Sequence, residues 1–198
     1  MPKVSRYHPL LVALHWLLAV LIIAALALGA LIMAKLPNSD PMKLEALRSH
    51  MFGGGLILAL MLVRLFVRTR TTHPPVAMTG SSLLDSVAWV SHRVFYGLII
   101  AMVASGATMA LQAGLFEIVY GGRGTLPPDL WVYPIRSVHY LVSRALMMLI
   151  ALHITGALYH TFILKDGLLR RMAFGRRMSP NPRAIASTVQ QTIAKVQS

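Results

Sequence analysis

The sequence predicts an all-α integral membrane protein, a four-helix bundle with short loops and a longer outer cap between spans three and four. Hydrophobic residues make up 56% of the chain and charged residues 13%, at a mean hydropathy of +0.64. Soluble domains average about 25% charged residues. Charged residues also separate four long apolar stretches, each near the roughly 20 residues that a helix needs to cross a bilayer.

The four spans are predicted at residues 9–34, 48–68, 88–111 and 137–165, within one domain that covers residues 1–177. Residues 7–34 contain no Asp, Glu, Lys or Arg. This stretch is longer than the apolar part of a typical secretory signal, so we expect it to remain as the first span. Residues 36–47 are expected to form a short outer loop. Glycine and proline in residues 112–136 predict a turn-rich cap with at most a short helix, and residues 178–198 are expected to be a cytoplasmic tail.

Basic residues are distributed unevenly between the two sides of the predicted bundle. Thirteen of the nineteen lysines and arginines fall on the side that holds both termini. The positive-inside rule therefore predicts a multi-pass plasma-membrane protein with both termini in the cytoplasm. The net charge of +13 does not predict a nucleic-acid partner, because long apolar runs separate the basic residues. Membrane lipid is the expected surrounding.

The chain has no cysteine. This excludes disulfide bonds, thiolate nucleophiles, cysteine-ligated iron–sulfur clusters and covalently attached c-type haem. The informative residues are instead the histidines, because ionisable side chains within membrane spans are rare and usually face the interior of the bundle.

Two histidines of the predicted fourth span share one helix face. His139 and His153 are fourteen residues apart, which places them within about 40° of the same face and about 21 Å apart along the axis. The topology puts His139 near the outer surface and His153 towards the cytoplasm. His50 begins span two on the outer side, and His15 lies in the second turn of span one on the inner side. Depth therefore pairs His50 with His139 and His15 with His153.

Paired imidazoles at two depths predict two haems, each with its iron held by two histidines inside the bundle. Such six-coordinate iron favours electron transfer over oxygen binding. Gly54, in a run of three glycines one turn after His50, would let a porphyrin approach the backbone, although close helix packing explains it equally well. Arg48 and Arg136 would pair with haem propionates near the outer surface, or extend to the membrane interface as simple cations.

The other histidines leave alternatives open. His160 follows His153 by seven residues near the cytoplasmic exit, where it could be an alternative ligand or a proton donor at a quinone pocket. His92 begins span three on the inner side and competes with His15 as the partner of His153. The remaining two, expected at the surface, are His8 and His73.

Several motifs together resemble the bacterial cytochrome b561 family. They are the His15-Trp16 pair, the segment VRLFVR at 63–68 followed by Pro74-Pro75, the spacing of His139 and His153, and a following run that contains His160, Lys165-Asp166 and Leu168-Leu169-Arg170. The resemblance covers about residues 5–172. It implies a four-helix inner-membrane protein that holds two b-type haems, as iron protoporphyrin IX, on His15, His50, His139 and His153.

The resemblance also implies a function. Members of the family pass electrons across the membrane, and superoxide oxidation is among their activities. The expected reaction therefore moves electrons between a periplasmic one-electron donor, superoxide or a redox protein, and ubiquinone. Arg136 would contact the anionic donor, and His160 and Lys165 the quinone. The alternatives are a cytochrome b subunit or anchor of a larger respiratory complex, and a non-redox four-span membrane protein.

Overall fold

The computed structural model describes residues 4–75 and 82–175, and it is all-helical over this part of the chain. Its elements are α1 (Pro9–Ala27), the π-helical segment π1 (Leu28–Met33), α2 (Pro41–Arg70), α3 (Ser82–Gln112), α4 (Leu115–Val119), α5 (Ile135–Tyr159), the π-helical segment π2 (His160–Leu164) and α6 (Leu168–Arg171). Four helical units are long and apolar enough to span a membrane: Pro9–Met33, Pro41–Arg70, Asp85–Gln112 and Ile135–Leu164. The predicted four-helix membrane architecture is confirmed.

The second span starts earlier than the sequence analysis places it. Asp40 is the N-cap of α2, where its Oδ1 accepts a hydrogen bond of 2.8 Å from the Met42 N–H, and Pro41 takes the first helical position. Both residue types favour these positions, because the carboxylate satisfies a free N–H and proline has no N–H to satisfy. The outer loop after the first span is therefore shorter than the expected residues 36–47.

The long helices pack mainly in two pairs, α1 with α2 and α3 with α5, and α2 also contacts α3. Their shared middle holds a buried cluster of Leu18, Ile57, Met61, Ile99 and Leu146. Leu146 is 2% exposed and lies seven residues from both His139 and His153 on α5. The cluster therefore separates two levels of the bundle, one at each of these histidines.

The segment between α3 and α5 folds into a compact cap that contains the short helix α4. Gly114 turns the chain from α3 into α4 with a φ of 64°, a conformation that glycine adopts without strain. A second buried cluster joins the cap to the bundle, and its members are Leu47, Ala110, Ala113, Leu115, Val119 and Leu130. Asn38 ties the other loop to the cap by donating to the Pro127 carbonyl at 2.7 Å. We call this end of the bundle the cap end.

The first and last described segments meet at the opposite end, which we call the terminal end. Arg6 donates to the Phe174 carbonyl at 2.7 Å, and the Trp16 indole donates to the Met172 carbonyl at 2.9 Å. Both ends of the described chain therefore lie on one side of the bundle, as an even number of spans requires. The predicted tail at 178–198 lies outside the described residues.

Large apolar side chains cover the outward faces of the long helices. Val20 is 65% exposed, Leu141 64% and Met148 75%. Such surfaces are unfavourable in water but suit the hydrocarbon region of a bilayer, where the surrounding solvent is itself apolar.

Candidate functional site

One pair of histidines lies towards the cap end. His50 on α2 faces His139 on α5 with ring centroids 6.2 Å apart and ring planes at 74°. Ser105 on α3 is 4% exposed, and its hydroxyl donates to the Met102 carbonyl while its oxygen lies 3.0 Å from Nδ1 of His139. Because the hydroxyl proton is already used, the oxygen accepts from the Nδ1–H of His139. This hydrogen bond leaves Nε2 of His139 as the nitrogen free to bind a metal.

Two glycines lie close to the rings of this pair, and one ring nitrogen of His50 is buried. A Cβ on Gly106 would lie 3.1 Å from Cε1 of His139, and a Cβ on Gly29 would lie 3.6 Å from Cε1 of His50. Any larger side chain at Gly106 would therefore displace the His139 ring. Nδ1 of His50 is buried and forms no hydrogen bond of ordinary geometry among the described residues, although the backbone of Ala25 on α1 lies near enough to interact with the ring.

The second pair lies towards the terminal end. His15 on α1 faces His153 on α5 with ring centroids 6.3 Å apart and ring planes at 70°. Trp16 lies against His15 at 5.4 Å, and Phe95 lies against His153 at the same centroid distance. The predicted grouping of the four histidines by depth is the grouping that the helices bring together.

His92 also reaches the terminal-end pair. Its ring centroid lies 5.8 Å from that of His153, with the planes at 90°. Nδ1–H of His92 donates to the Ala88 carbonyl one turn earlier at 2.6 Å, so Nε2 is its free nitrogen. His153 therefore has two histidine neighbours, and the competition between His15 and His92 that the sequence left open is a real feature of the packing.

The donor set of each pair suits haem iron. A metal–imidazole bond is about 2 Å long, so two imidazoles on opposite sides of one iron place their ring centroids about 6 Å apart. The observed separations are 6.2 and 6.3 Å. The described residues contain no group of three or more His, Cys, Asp or Glu side chains that could hold a metal ion. Haem iron needs only two ligands from the protein, because the macrocycle provides the other four.

The predicted basic residues at the cap end have different surroundings. Arg136 is half-buried, with its guanidinium 4.7 Å from the centre of the Trp131 ring. Arg48 is bound by the protein itself, since it pairs with Glu45 at 2.7 Å and donates twice to the Val119 carbonyl of α4. Nζ of Lys43 is also used internally, because it donates to the Met33 and Leu36 carbonyls at the end of the first span.

Gly54 and its neighbours in the α2 glycine run meet nothing when a Cβ is added to them. Close helix–helix packing at Gly54, the alternative offered by the sequence, is therefore absent in the described structure. The glycines that contact histidine rings are Gly29 and Gly106, which the sequence analysis did not identify. No local signal marks them, because their contacts come from a different helix.

His160 pairs with a carboxylate at the terminal end. Its Nδ1–H donates to Oδ2 of Asp166 at 2.5 Å, and the side chains are 15% and 34% exposed. Lys165 and Gly167 adopt left-handed conformations, with φ of 51° and 69°, and turn the chain so that Asp166 returns to π2. Lys165 itself is exposed. Partial burial acts to raise the pKa of Asp166, but hydrogen bonds from His160 and from the Leu168 N–H outweigh it and lower the pKa.

Arg64 is a site residue that the sequence analysis used only for topology and as part of the VRLFVR segment at 63–68, without a role of its own. It lies on α2 at the level of the terminal-end pair and donates from Nη1 to the Tyr96 hydroxyl on α3 at 2.8 Å. It is close enough to His15 and His153 to interact electrostatically with both. Its position within a predicted span could have identified it from the sequence, because charged residues inside membrane spans are usually functional.

Known proteins resemble this chain over most of its length. The family model described as prokaryotic cytochrome b561 matches residues 6–175. The chain is 29% identical over 175 residues to the probable superoxide oxidase CybB of Yersinia pestis, which covers 85% of this chain and 96% of that relative. It is 27% identical over 173 residues to cytochrome b561 homolog 2 of Escherichia coli strain K12, with 85% and 91% covered.

Proposed function

The chain belongs to the prokaryotic cytochrome b561 family, and on that premise we propose that it passes electrons from a periplasmic one-electron donor, superoxide, to ubiquinone. Membership makes it a multi-pass membrane protein of electron transfer that uses b-type haem. The main observation in support of this proposal is that two histidine pairs, one at each level of the bundle, have ring centroids at the separation expected for two imidazoles bound to one haem iron.

Two haems are proposed, one for each pair. His50 and His139 would hold the cap-end haem, and His15 and His153 the terminal-end haem. When bound, each haem supplies a one-electron carrier. Ser105 orients His139 by accepting its Nδ1–H, and Gly54 leaves space beside α2 that a macrocycle could enter. Arg136 would contact the propionates of the cap-end haem, as would Arg48, which also bonds Glu45 and the Val119 carbonyl.

The donor is proposed to reach the cap end. With the termini in the cytoplasm, as the charge distribution predicts, the cap end faces the periplasm. Arg136 is half-buried there, and Arg123 is exposed on the cap. Their positive charge would attract an anionic donor by electrostatic steering. The relative named as a superoxide oxidase supports superoxide as this donor.

Ubiquinone is proposed to bind at the terminal end beside π2. Two superoxide anions each lose one electron and leave as O₂, and one quinone takes up both electrons and two protons. His160 is suited to supply a proton, because Asp166 holds its Nδ1–H and leaves Nε2 for exchange with the quinone. Lys165 is exposed next to it and would contact the quinone carbonyl or the membrane surface.

The test is a reduced-minus-oxidised visible spectrum of the purified protein, with haem counted per chain. Superoxide and a soluble ubiquinone analogue are then added, and quinol is measured. We expect two b-type haems per chain and superoxide-dependent quinol. Two haems that superoxide cannot reduce would refute this donor and favour a periplasmic redox protein or a larger complex. A protein without haem would refute the proposal altogether.

A further inference from the structure

Arg64 carries a positive charge inside the bundle without a carboxylate to balance it. It lies on α2 six residues before the helix ends at Arg70. No Asp or Glu of the described chain pairs with it, and its protein partner there is the Tyr96 hydroxyl at 2.8 Å. A charged group in a membrane span is costly and is normally compensated by a partner.

Most of the hydrogen-bond donors of this pair lack an acceptor. Arginine has five N–H donors, and within the described residues Arg64 donates to Tyr96 alone. Its Nε is buried with no partner. The Tyr96 hydroxyl accepts from Arg64, so its own proton is free to donate to another group. Two donors side by side, one of them cationic, form a site that an anionic oxygen would complete.

We propose that Arg64 and Tyr96 bind a carboxylate of the terminal-end haem. This inference rests on the proposed function, because the haem propionates are the carboxylates that would enter the bundle with the cofactor. The position supports it, since Arg64 lies within electrostatic range of both His15 and His153.

The pairing has a consequence for electron transfer. A cation next to haem iron disfavours the ferric form, which carries one more positive charge than the ferrous form. Arg64 therefore raises the reduction potential of the terminal-end haem. Because this haem is the one next to the proposed quinone site, the residue favours the arrival of electrons at that end.

The test uses Arg64→Gln, Arg64→Lys and Tyr96→Phe in the full-length haem-loaded protein, with Arg68→Gln as the matched control. Arg68 is one helical turn further along α2 and is exposed. The readouts are the two haem midpoint potentials and the rate of haem transfer to excess apomyoglobin. We expect Arg64→Gln to lower one potential only and to speed the loss of that haem about tenfold or more. Arg64→Lys should leave the midpoint potential of that haem close to its wild-type value, since lysine keeps the positive charge. Tyr96→Phe should lower the potential of the same haem by less than Arg64→Gln does.

Several results would overturn the inference. If Arg64→Gln leaves both potentials and both rates of haem loss unchanged, no haem carboxylate binds there. If it changes only the KM for quinone, the anionic oxygen belongs to the quinone instead. Should Arg64→Gln fail to fold, an unchanged Tyr96→Phe variant would count against the site. A wild-type protein without haem would refute the proposed function, which is a separate outcome.

Discussion

If each histidine pair holds a haem, as proposed, replacing Ser105 with alanine is expected to weaken the binding of one haem and leave the other unchanged. Nδ1 of His139 lies 3.0 Å from the Ser105 oxygen, and Ser105 is 4% exposed. Alanine removes the acceptor without adding volume, so the Nδ1–H of His139 loses its partner in a place with little access to water. Leaving such a group unsatisfied costs about 1–3 kcal/mol. Loss of the partner of a metal-binding histidine typically costs about 10- to 100-fold in affinity.

The assay is haem transfer from the purified variant to excess apomyoglobin, followed at two wavelengths so that the two haems are resolved. We expect the cap-end haem to leave about 10- to 100-fold faster and its reduction potential to rise, because a histidine without this hydrogen bond is a weaker donor to ferric iron. The terminal-end haem should keep its wild-type rate.

Ser143→Ala is the matched control. The Ser143 hydroxyl donates to the Tyr140 carbonyl three residues earlier, as Ser105 donates to Met102, but no histidine bonds to Ser143 in the part of the chain that the structure describes. The variant should therefore keep both haems. Equal loss of both haems from Ser105→Ala, or no loss from either site, would refute the role assigned to this hydroxyl.

The remaining predictions concern the other site residues. His15→Ala should remove the terminal-end haem and halve the haem content, whereas His92→Ala should retain it; haem analysis showing the reverse would assign the ligand to His92. Gly106→Ala should weaken the binding of the cap-end haem, because the new Cβ would lie 3.1 Å from the His139 ring. Gly97→Ala on the same helix adds a Cβ that meets nothing, so the same haem analysis should show wild-type haem content. Asp166→Asn keeps an oxygen for the Leu168 N–H but removes the carboxylate from His160, so steady-state quinol formation should slow about tenfold or more. Because the contact lowers the pKa of Asp166, it stabilises the folded protein at pH values above the ordinary carboxyl pKa, and this stabilisation is lost as the pH falls through the lowered pKa. The loss of stability at acid pH should therefore be smaller in the variant than in the wild-type protein.

Parts of the site could be predicted because they depend on one helix at a time. The fourteen-residue spacing of His139 and His153 fixes their common face through the helical repeat alone. Depth then follows from the order of the spans, so His15 and His50 could be matched to them before any packing was known. The start of α2 was missed, although Asp40 and Pro41 carry a local signal for it.

Other features depend on how different helices are packed, and no local pattern contains them. The approach of Ser105 and Gly106 to His139 requires the register of α3 against α5. The return of Asp166 to His160 requires a left-handed conformation at Lys165, a residue with no special preference for it.

The sequence by itself determined the four spans and the two levels of histidine. Length, hydropathy and helical periodicity are properties of single segments, and a bilayer forces each apolar segment across it. Only the tertiary structure decided which further side chains lie at each level: Ser105 at one, and the Arg64–Tyr96 pair at the other. Those contacts join residues of different helices, and their distances are set by side-chain packing across the bundle, which spacing along the chain does not encode.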